Sequence, residues 1–222
     1  VMMALAAICA TQLTYRPVQP DSIPPPLINR AAVGPAIISL LGVFAFNGLL
    51  TFAPLYSREI GLENTALVFT TASMTIVFMR VVFGTLPDRI GPVRAGAFAL
   101  GMSAFAAGVG AFWDDPSGLY LGAALTAVGL SLQSPSLMSI AVGRVKERER
   151  GSAMASYTAS FDVANALVGP TVGVLVSVAS YQTAFAFTGV LSLVALFLLL
   201  FNVAPRDRGE IPRVSFEMIR LR

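Results

Sequence analysis

Long stretches without a charged side chain impose the strongest constraint on how this chain can fold. Residues 35–56, 95–113 and 119–143 carry no charge, residues 65–83 carry only Arg80, and residues 151–205 carry only Asp162. A helix that crosses the hydrocarbon core of a bilayer needs about 20 predominantly apolar residues. The last stretch is long enough for two such helices, and the polar turn Ser180-Tyr181-Gln182 divides it. The sequence therefore predicts six complete membrane spans.

The composition is typical of a polytopic membrane protein. Charged residues make up 12% of the 222 residues, hydrophobic residues make up 55%, and the mean hydropathy is +0.75. A soluble domain normally carries about 25% charged residues. The net charge of +3 is too small an excess to indicate binding to nucleic acid. We therefore predict an all-α fold, a helix bundle whose main partner is the lipid bilayer.

Missing residue types exclude most classes of enzyme. The sequence has no histidine, which excludes His-based general acid–base catalysis, a Ser-His-Asp triad and a His-Glu-x-x-His zinc site. Cys9 is the only cysteine, so an intrachain disulfide and a multi-cysteine metal site are excluded as well. We expect no metal and no cofactor. Transport, or a scaffolding function within a membrane, remains.

The two ends of the chain differ from the predicted bundle, which we place at residues 35–203. Residues 1–13 are apolar but too short to cross a membrane, and they begin without the basic segment of a signal peptide. We interpret them as the end of a truncated transmembrane helix. Residues 14–34 contain five prolines and predict an irregular cytoplasmic linker between two bundles, or an inner loop of no special function. We interpret residues 204–222 as a cytoplasmic tail, either lying on the membrane surface or solvated.

The basic residues of the loops predict the orientation. One side of the membrane holds thirteen of them, in residues 14–34, 84–94, 143–151 and 204–222, and the other side holds only Arg58. Loops rich in Lys and Arg stay in the cytoplasm. We therefore expect both ends of the six-helix unit to be cytoplasmic, in a plasma membrane. Tyr56, Trp113, Tyr120 and Tyr181 fall at the predicted outer boundary, where an aromatic belt is expected.

The second inner loop carries a recognisable motif. Its residues are Arg80, Gly84, Asp88, Arg89, Gly91 and Arg94. The first three are spaced four residues apart, so they fall near one face if the preceding helix continues that far. The string resembles the Gly-x-x-x-Asp-Arg-x-Gly motif of the major facilitator superfamily, which lies between the second and third helices and recurs between the eighth and ninth. Pro92 stands where that family often has Arg or Lys.

This resemblance implies a fold, a mechanism and a partner. The chain corresponds to the second six-helix half, helices 7–12, of a twelve-helix transporter, so the missing N-terminal six-helix half would be its partner. The motif would act as a gate that latches the cytoplasmic face in one conformation. Gly84 would let a neighbouring helix approach closely, Asp88 would accept hydrogen bonds or pair with an arginine, and Gly91 would make a tight turn. In the next inner loop, Arg148 or Arg150 would either reach Asp88 or only fix the topology.

Four polar side chains on three predicted helices fall near one depth. Asp162 is the only acid inside a span and lies 11 residues beyond Gly151, or about 16 Å along a helix. Asn165 follows one turn later, and Gln133 and Asn47 reach a similar depth. A charge at this depth costs a few kcal/mol, so it normally faces a cavity or a partner.

These side chains predict a shared central cavity for a small-molecule substrate, in which Asp162 takes up and releases a coupling proton. The alternative is that the amides only bond across helices and that Asp162 is a neutral acid satisfied by its neighbours.

A glycine-proline segment bears on the direction of transport. Gly169, Pro170 and Gly173 would permit close packing and a kink in the fifth span. They resemble the motif that drug/proton antiporters of the superfamily carry in the fifth helix, here at the pseudo-symmetric position, which favours an exporter.

We therefore predict a proton-coupled secondary transporter that exports small organic molecules by alternating access. The alternatives are an importer of the same superfamily, a half-transporter that dimerises, a non-transporting six-span scaffold or assembly partner and, least favoured, a membrane enzyme.

Overall fold

Helices, and no strand, make up the part of the protein that the computed structural model describes, residues 29–203. The helix remnant predicted at residues 1–13, residues 14–28 of the predicted linker and the tail at residues 204–222 lie outside the described residues. Six of the described helices are long and apolar enough to cross a membrane. The predicted all-α bundle with six complete spans is therefore confirmed.

The helices are, in chain order, α1 (Arg30–Glu59), α2 (Ala66–Phe83), α3 (Leu86–Ile90), α4 (Pro92–Phe112), α5 (Pro116–Gly143), α6 (Arg150–Val178) and α7 (Tyr181–Leu198). All except the short α3 are candidate spans. A 3-10 turn, Glu147–Glu149, precedes α6, and a π-helical turn, Leu199–Val203, follows α7.

The first helix begins earlier than the charge pattern predicts. Arg30, rather than Pro35, opens α1, because Asn29 caps the helix: its side-chain Oδ1 accepts a hydrogen bond from the Ala31 backbone N–H at 3.0 Å. Pro35 then lies in the second turn, where it removes a single helical hydrogen bond. A charge marks the end of the apolar stretch and not the end of the helix, so the predicted boundary at residue 35 was wrong by five residues.

The first helix is the centre of the bundle. α1 packs against α5, α6 and α7, while α4 packs against α5 and α7, and α2 packs chiefly on α5. Only 17% of the most apolar stretch is buried in α2 and in α6, against 50–56% in α1, α4 and α5. Two helices of the bundle therefore keep a broad face uncovered by the described residues.

Glycines allow the central helices to approach closely. A Cβ at Gly129 in α5 would lie 2.9 Å from the Ala99 carbonyl oxygen of α4 and would also meet the Ser103 hydroxyl. A Cβ at Gly42 in α1 would lie 2.6 Å from Leu100 Cδ2 of α4. Small residues at such positions let backbones meet, which is the main source of packing energy where lipid surrounds the helices.

The C-terminal end of α1 and the N-terminal end of α7 are joined by a cluster that the sequence did not predict. Tyr56 is 1% exposed, so it does not belong to a lipid-facing aromatic belt, and its ring packs 5.3 Å from the rings of Tyr181 and Phe185. Its hydroxyl donates to Asp114 Oδ1 at 3.0 Å, and Gln182 Nε2 donates to the same oxygen at 3.0 Å. We call these five residues the Asp114 cluster. Through it, the loop between α4 and α5 fastens both helices.

Candidate functional site

The structure brings together two of the four polar residues predicted near the membrane centre. Asn47 of α1 donates a hydrogen bond from its side-chain Nδ2 to Oδ1 of Asn165 on α6. Asp162 lies one turn before Asn165 and is exposed, with no hydrogen bond or ion pair to any residue in 29–203. An acid on an uncovered face therefore stands next to an amide pair that links two helices.

Gln133 lies elsewhere, which corrects the prediction that it lines the same cavity. It is 1% exposed in the core, where its Nε2 donates a long bond of 3.4 Å to the Ser39 carbonyl oxygen. Its Oε1 has no hydrogen-bond partner among the described residues. A Cβ at Gly42 would lie 2.6 and 2.7 Å from the two amide atoms. The missing side chain of Gly42 thus provides the space in which Gln133 is buried, between α1 and α5.

A buried tyrosine forms a second polar link that the sequence did not reveal. Ser39 Oγ of α1 donates to the Tyr157 hydroxyl of α6 at 3.1 Å, and that hydroxyl donates to the Ser134 carbonyl oxygen of α5 at 3.3 Å. Ser39 precedes Asn47 by eight residues, and Tyr157 precedes Asn165 by the same number. This equal spacing of eight residues was the feature of the sequence from which the Ser39–Tyr157 contact could have been inferred. Two polar contacts therefore connect parallel helices in one register.

A groove follows the seam between α1 and α6 on the side of their N-terminal ends. It has a volume of about 480 Å³, and Val33, Ile37 and Leu40 of α1 form one wall. The α6 wall includes Ala159 and Val163, which lie three residues before and one residue after Asp162 in the sequence. The groove is mainly apolar, and Asp162 is not among the residues that line it.

Asn29 closes the seam at the other end. Its backbone N–H donates to Ser156 Oγ of α6 at 3.0 Å, and its side-chain Nδ2 donates to Glu149 Oε2 at 3.4 Å. The residue is 4% exposed. The first described residue is thus anchored to α6 and to the loop that precedes it.

The motif loop does not continue the preceding helix. α2 ends at Phe83, a turn at Gly84 and Thr85 follows, and α3 begins at Leu86. The shared face depended on a helix that continues to Asp88, and this condition is not met, so Arg80, Gly84 and Asp88 do not share one uninterrupted helical face. The reason is local: the turn at Thr85 interrupts the helix before the start of α3.

Gly84 and Gly91 serve the backbone of this loop. A Cβ at Gly84 would collide with the Arg80 carbonyl oxygen, and the three atoms nearest to it all belong to Arg80. Close approach of a neighbouring helix is thus not what Gly84 provides within the described chain. Gly91 has φ of +90°, a conformation that side chains disfavour. The tight turn predicted at Gly91 is present, and it separates α3 from α4.

The charged residues of the motif are not covered by other residues of the described chain. Arg80, Asp88, Arg89 and Arg94 are all exposed. Asp88 forms no ion pair or side-chain hydrogen bond with any residue between 29 and 203. The guanidinium nitrogen Nη1 of Arg150 instead lies 4.0 Å from Oε1 of Glu147, three residues earlier. The structure brings neither Arg148 nor Arg150 to Asp88, and gating remains a prediction.

The glycine-proline segment lies within α6. The helix continues through Pro170 to Val178, nothing lies within 4 Å of a Cβ at Gly169, and Phe52 Cζ would lie at an ordinary 3.5 Å from a Cβ at Gly173. Contacts within the described chain therefore do not require these glycines.

The described part of the chain contains no cluster of side chains suited to a metal ion. Residues 29–203 hold no group of three or more Asp, Glu, Cys or His that could hold a metal ion. The polar groups that this site offers are the Asp162 carboxyl group and the amides of Asn47 and Asn165.

Comparison with known proteins identifies the family. The sequence model of the Major Facilitator Superfamily matches residues 36–218. The chain belongs to this superfamily. An uncharacterised MFS-type transporter of Pseudomonas aeruginosa is 30% identical over 163 residues, which cover 72% of this chain and 40% of that protein. The uncharacterised MFS-type transporter YhhS of Escherichia coli is 25% identical over 219 residues, covering 97% of this chain and 54% of YhhS.

The chain therefore spans about half the length, or less, of the curated relatives that it matches. A third relative, an uncharacterised MFS-type transporter of Salmonella typhimurium, is 32% identical over 142 residues, 63% of this chain and 36% of its own length. Membership of the superfamily and the six-span bundle support a multi-pass membrane protein of a transporter family.

Proposed function

We propose that this superfamily member is a proton-coupled secondary transporter that exports small organic molecules by alternating access. The single observation that carries the proposal is Asp162. It is the only acid within the interior of the spans, it lies on the uncovered face of α6, and it has no partner among residues 29–203. A carboxyl group in that position gains or loses a proton as its access to water changes.

A second six-helix bundle is the partner that this proposal requires. The faces of α2 and α6 left open by the described chain, with 17% of each apolar stretch buried, are the surfaces for it to cover. The groove between α1 and α6 would then become part of an enclosed path with apolar walls suited to an organic substrate, and Asp162 directly precedes Val163, one of its lining residues. Secondary transporters bind their substrates at that level, between two bundles that rock.

The proton step is simple in outline. The Asp162 carboxylate binds a proton from the side of higher proton concentration, the bundles change orientation, and the acid releases the proton to water on the other side. The substrate moves in the opposite direction in the same cycle. We place the protein in a plasma membrane with both ends of the six-helix unit in the cytoplasm, because the basic loops lie on that side.

Replacement of Asp162 tests the coupling. In the complete protein, in vesicles with an imposed pH gradient, Asp162→Asn should abolish the gradient-driven part of the efflux of ethidium, used as an amphipathic organic probe. Glu63→Gln is the matched control, because Glu63 is an exposed acid in an outer loop. Gradient-driven efflux that survives Asp162→Asn with an unchanged pH profile would exclude a coupling function. Uptake in place of efflux would favour an importer, and no movement of any probe would favour a scaffold.

The motif loop is the proposed gate. Asp88→Asn should change the labelling rate of a cysteine introduced at Ala155 in the groove, measured in a background in which Cys9 is replaced by serine. Asp115→Asn, an exposed acid on the opposite side, is the control. An unchanged labelling rate in Asp88→Asn would contradict gating by this loop.

A further inference from the structure

A second groove follows the surface where α4 packs against α7. On α4 it runs over Gly101, Ala104 and Gly108, which present little or no side chain. Phe105 and Phe112 also line it, and both rings are largely exposed. Nothing lies within 4 Å of a Cβ at Gly101 or Gly108, so no contact within the described chain requires these glycines. They keep a space open at the surface of the bundle.

This groove lies on a face that the proposed second bundle does not need. α4 packs against α5 and α7, and not against α2 or α6, the helices with the broad uncovered faces. Leu193, which lines the groove from α7, is exposed, and every lining residue is apolar or aromatic. The groove therefore opens to the hydrocarbon of the surrounding bilayer.

The length of the groove corresponds to one leaflet. α4 has 21 residues, or about 31 Å, which is close to the thickness of the hydrocarbon core of a bilayer. The lining residues extend from Gly101 to Trp113, a distance of about 18 Å along a helix. The groove thus begins near the middle of α4 and ends at Trp113, directly after the last residue of the helix, at the level of the lipid headgroups.

The width of the groove favours an acyl chain over a protein helix. Its volume is about 680 Å³, which over about 18 Å gives a cross-section of about 40 Å². An α-helix with its side chains is about 10 Å wide and needs about 80 Å². A helix of a second copy is therefore too wide to enter the groove, whereas a flexible hydrocarbon chain fits along it.

Trp113 is held at the end of the groove. A Cβ at Gly118, in the first turn of α5, would lie 2.9 Å from both Cβ and Cγ of Trp113, so this glycine makes room for the tryptophan. The side chain is about half exposed, and its indole N–H has no hydrogen-bond partner among residues 29–203. Tryptophan favours the headgroup level of a membrane, and its N–H is free to donate to an ester or phosphate oxygen of a lipid.

The charges at this end favour a headgroup that carries an amine. Asp114 and Asp115 directly follow Trp113, and both are exposed. The Asp114 cluster joins the end of α1 to this loop, and there Arg58 is followed by Glu59, so the basic residue adds no net positive charge. An anionic headgroup is repelled here, whereas a primary ammonium group donates hydrogen bonds to a carboxylate.

We propose that the groove between α4 and α7 binds one phospholipid with an ethanolamine headgroup. Its acyl chain lies over Gly101 and Gly108, and its ester region lies at Trp113. The ammonium group lies beside Asp115, of which one oxygen accepts a 3.3 Å bond from Ser117 and the other has no partner in the described chain. This binding site does not depend on the proton-carrying function of Asp162.

Fluorescence of Trp113 tests the proposal, because it is the only tryptophan in the sequence. The complete protein is placed in phosphatidylcholine vesicles that contain a fixed fraction of phosphatidylethanolamine brominated on its acyl chains. Bromine quenches the emission of an indole that it contacts, and the emission lost in Trp113→Phe belongs to Trp113. The same fraction of brominated phosphatidylglycerol is the comparison. We expect the ethanolamine lipid to bind at Trp113 about twofold to fivefold more tightly, the range for one exposed ion pair.

Substitution of the acid tests the headgroup contact. Asp115→Asn should remove most of the preference for the ethanolamine lipid, because the carboxylate that holds the ammonium group is lost. Glu63→Gln is the matched control, since Glu63 is an exposed acid that precedes α2, a helix that does not pack on α4. A preference that survives Asp115→Asn would refute the assigned contact.

Filling the groove tests the position of the acyl chain. Gly101→Leu and Gly108→Leu place a side chain in open space, so both should fold and both should lower the quenching by the ethanolamine lipid to that of the glycerol lipid. Gly143→Leu is the control, because it is an open glycine at the opposite end of α5 from Gly118. It should leave the preference unchanged.

Three results would overturn the proposal. Equal quenching of the parent protein by the two lipids, or a preference that persists in both filled variants, would show that only ordinary boundary lipid contacts this surface. A disulfide formed in the membrane between two copies of Gly108→Cys, in a background with Cys9→Ser, would show that a second copy covers the groove.

Discussion

Gly42→Ala tests the packing at the centre of the bundle. The added methyl group would lie 2.6 Å from Gln133 Nε2, 2.7 Å from Gln133 Oε1 and 2.6 Å from Leu100 Cδ2. Carbon atoms in good contact lie about 3.5–4.0 Å apart, so α1 must move away from both neighbours or Gln133 must leave its position.

The expected cost follows from two opposing effects. Overpacking of a well-packed core costs about 1–3 kcal/mol, and alanine gains about 0.5–1 kcal/mol over glycine inside a helix. We therefore expect a net loss of about 1–2 kcal/mol in the free energy of unfolding, measured by thermal or denaturant unfolding of the purified protein in detergent.

Gly101→Ala in α4 is the matched control, because nothing lies within 4 Å of a Cβ at that position. It should be neutral or slightly stabilising. Gln133→Ala should relieve part of the strain, so the double variant with Gly42→Ala should lose less stability than the sum of the single losses. A Gly42→Ala protein as stable as the parent, or a strictly additive double variant, would refute this account of the contact between α1 and α5.

Two further stability predictions concern the ends of the bundle. Tyr56→Phe removes the hydrogen bond to Asp114 and should cost about 1 kcal/mol in unfolding free energy, whereas Tyr120→Phe, whose hydroxyl has no partner within residues 29–203, should cost nothing measurable by the same assay. Gly91→Ala should cost about 1–3 kcal/mol because φ is +90° at that position, and Gly143→Ala, with neither positive φ nor a close neighbour, should not. Equal effects in either pair would show that the named contact or dihedral angle is not the cause.

Charge placement alone predicted the six spans, because the cost of a charge in hydrocarbon is large and independent of the details of packing. The same reasoning failed at helix ends. Asn29 caps α1 through a short-range hydrogen bond that a count of apolar residues does not detect. The break after Phe83 is likewise a matter of local backbone geometry at Gly84 and Thr85.

The count of residues along each span predicted a common depth for four polar residues, but it did not indicate which of them meet. Asn47 and Asn165 do meet, and Gln133 at a similar depth lies in the core. Depth follows from residue number, whereas the direction of a side chain depends on how its helix is rotated about its axis. The apolar residues of these helices are spread around all sides, so the sequence does not indicate that rotation. Tyr157 was missed because its long side chain reaches Ser39 on another helix, and its place in the sequence does not indicate that partner.

The equal spacing of the two polar contacts along α1 and α6 has a mechanical consequence. Ser39 pairs with Tyr157 and Asn47 with Asn165, eight residues apart on each helix, or about 12 Å. The two contacts together oppose both sliding and twisting of one helix against the other, because either motion would strain both hydrogen bonds at once. A piston-like displacement of α6 along α1 is therefore disfavoured. The two contacts still permit a hinge motion, in which one hydrogen bond breaks first and the helices separate from that end.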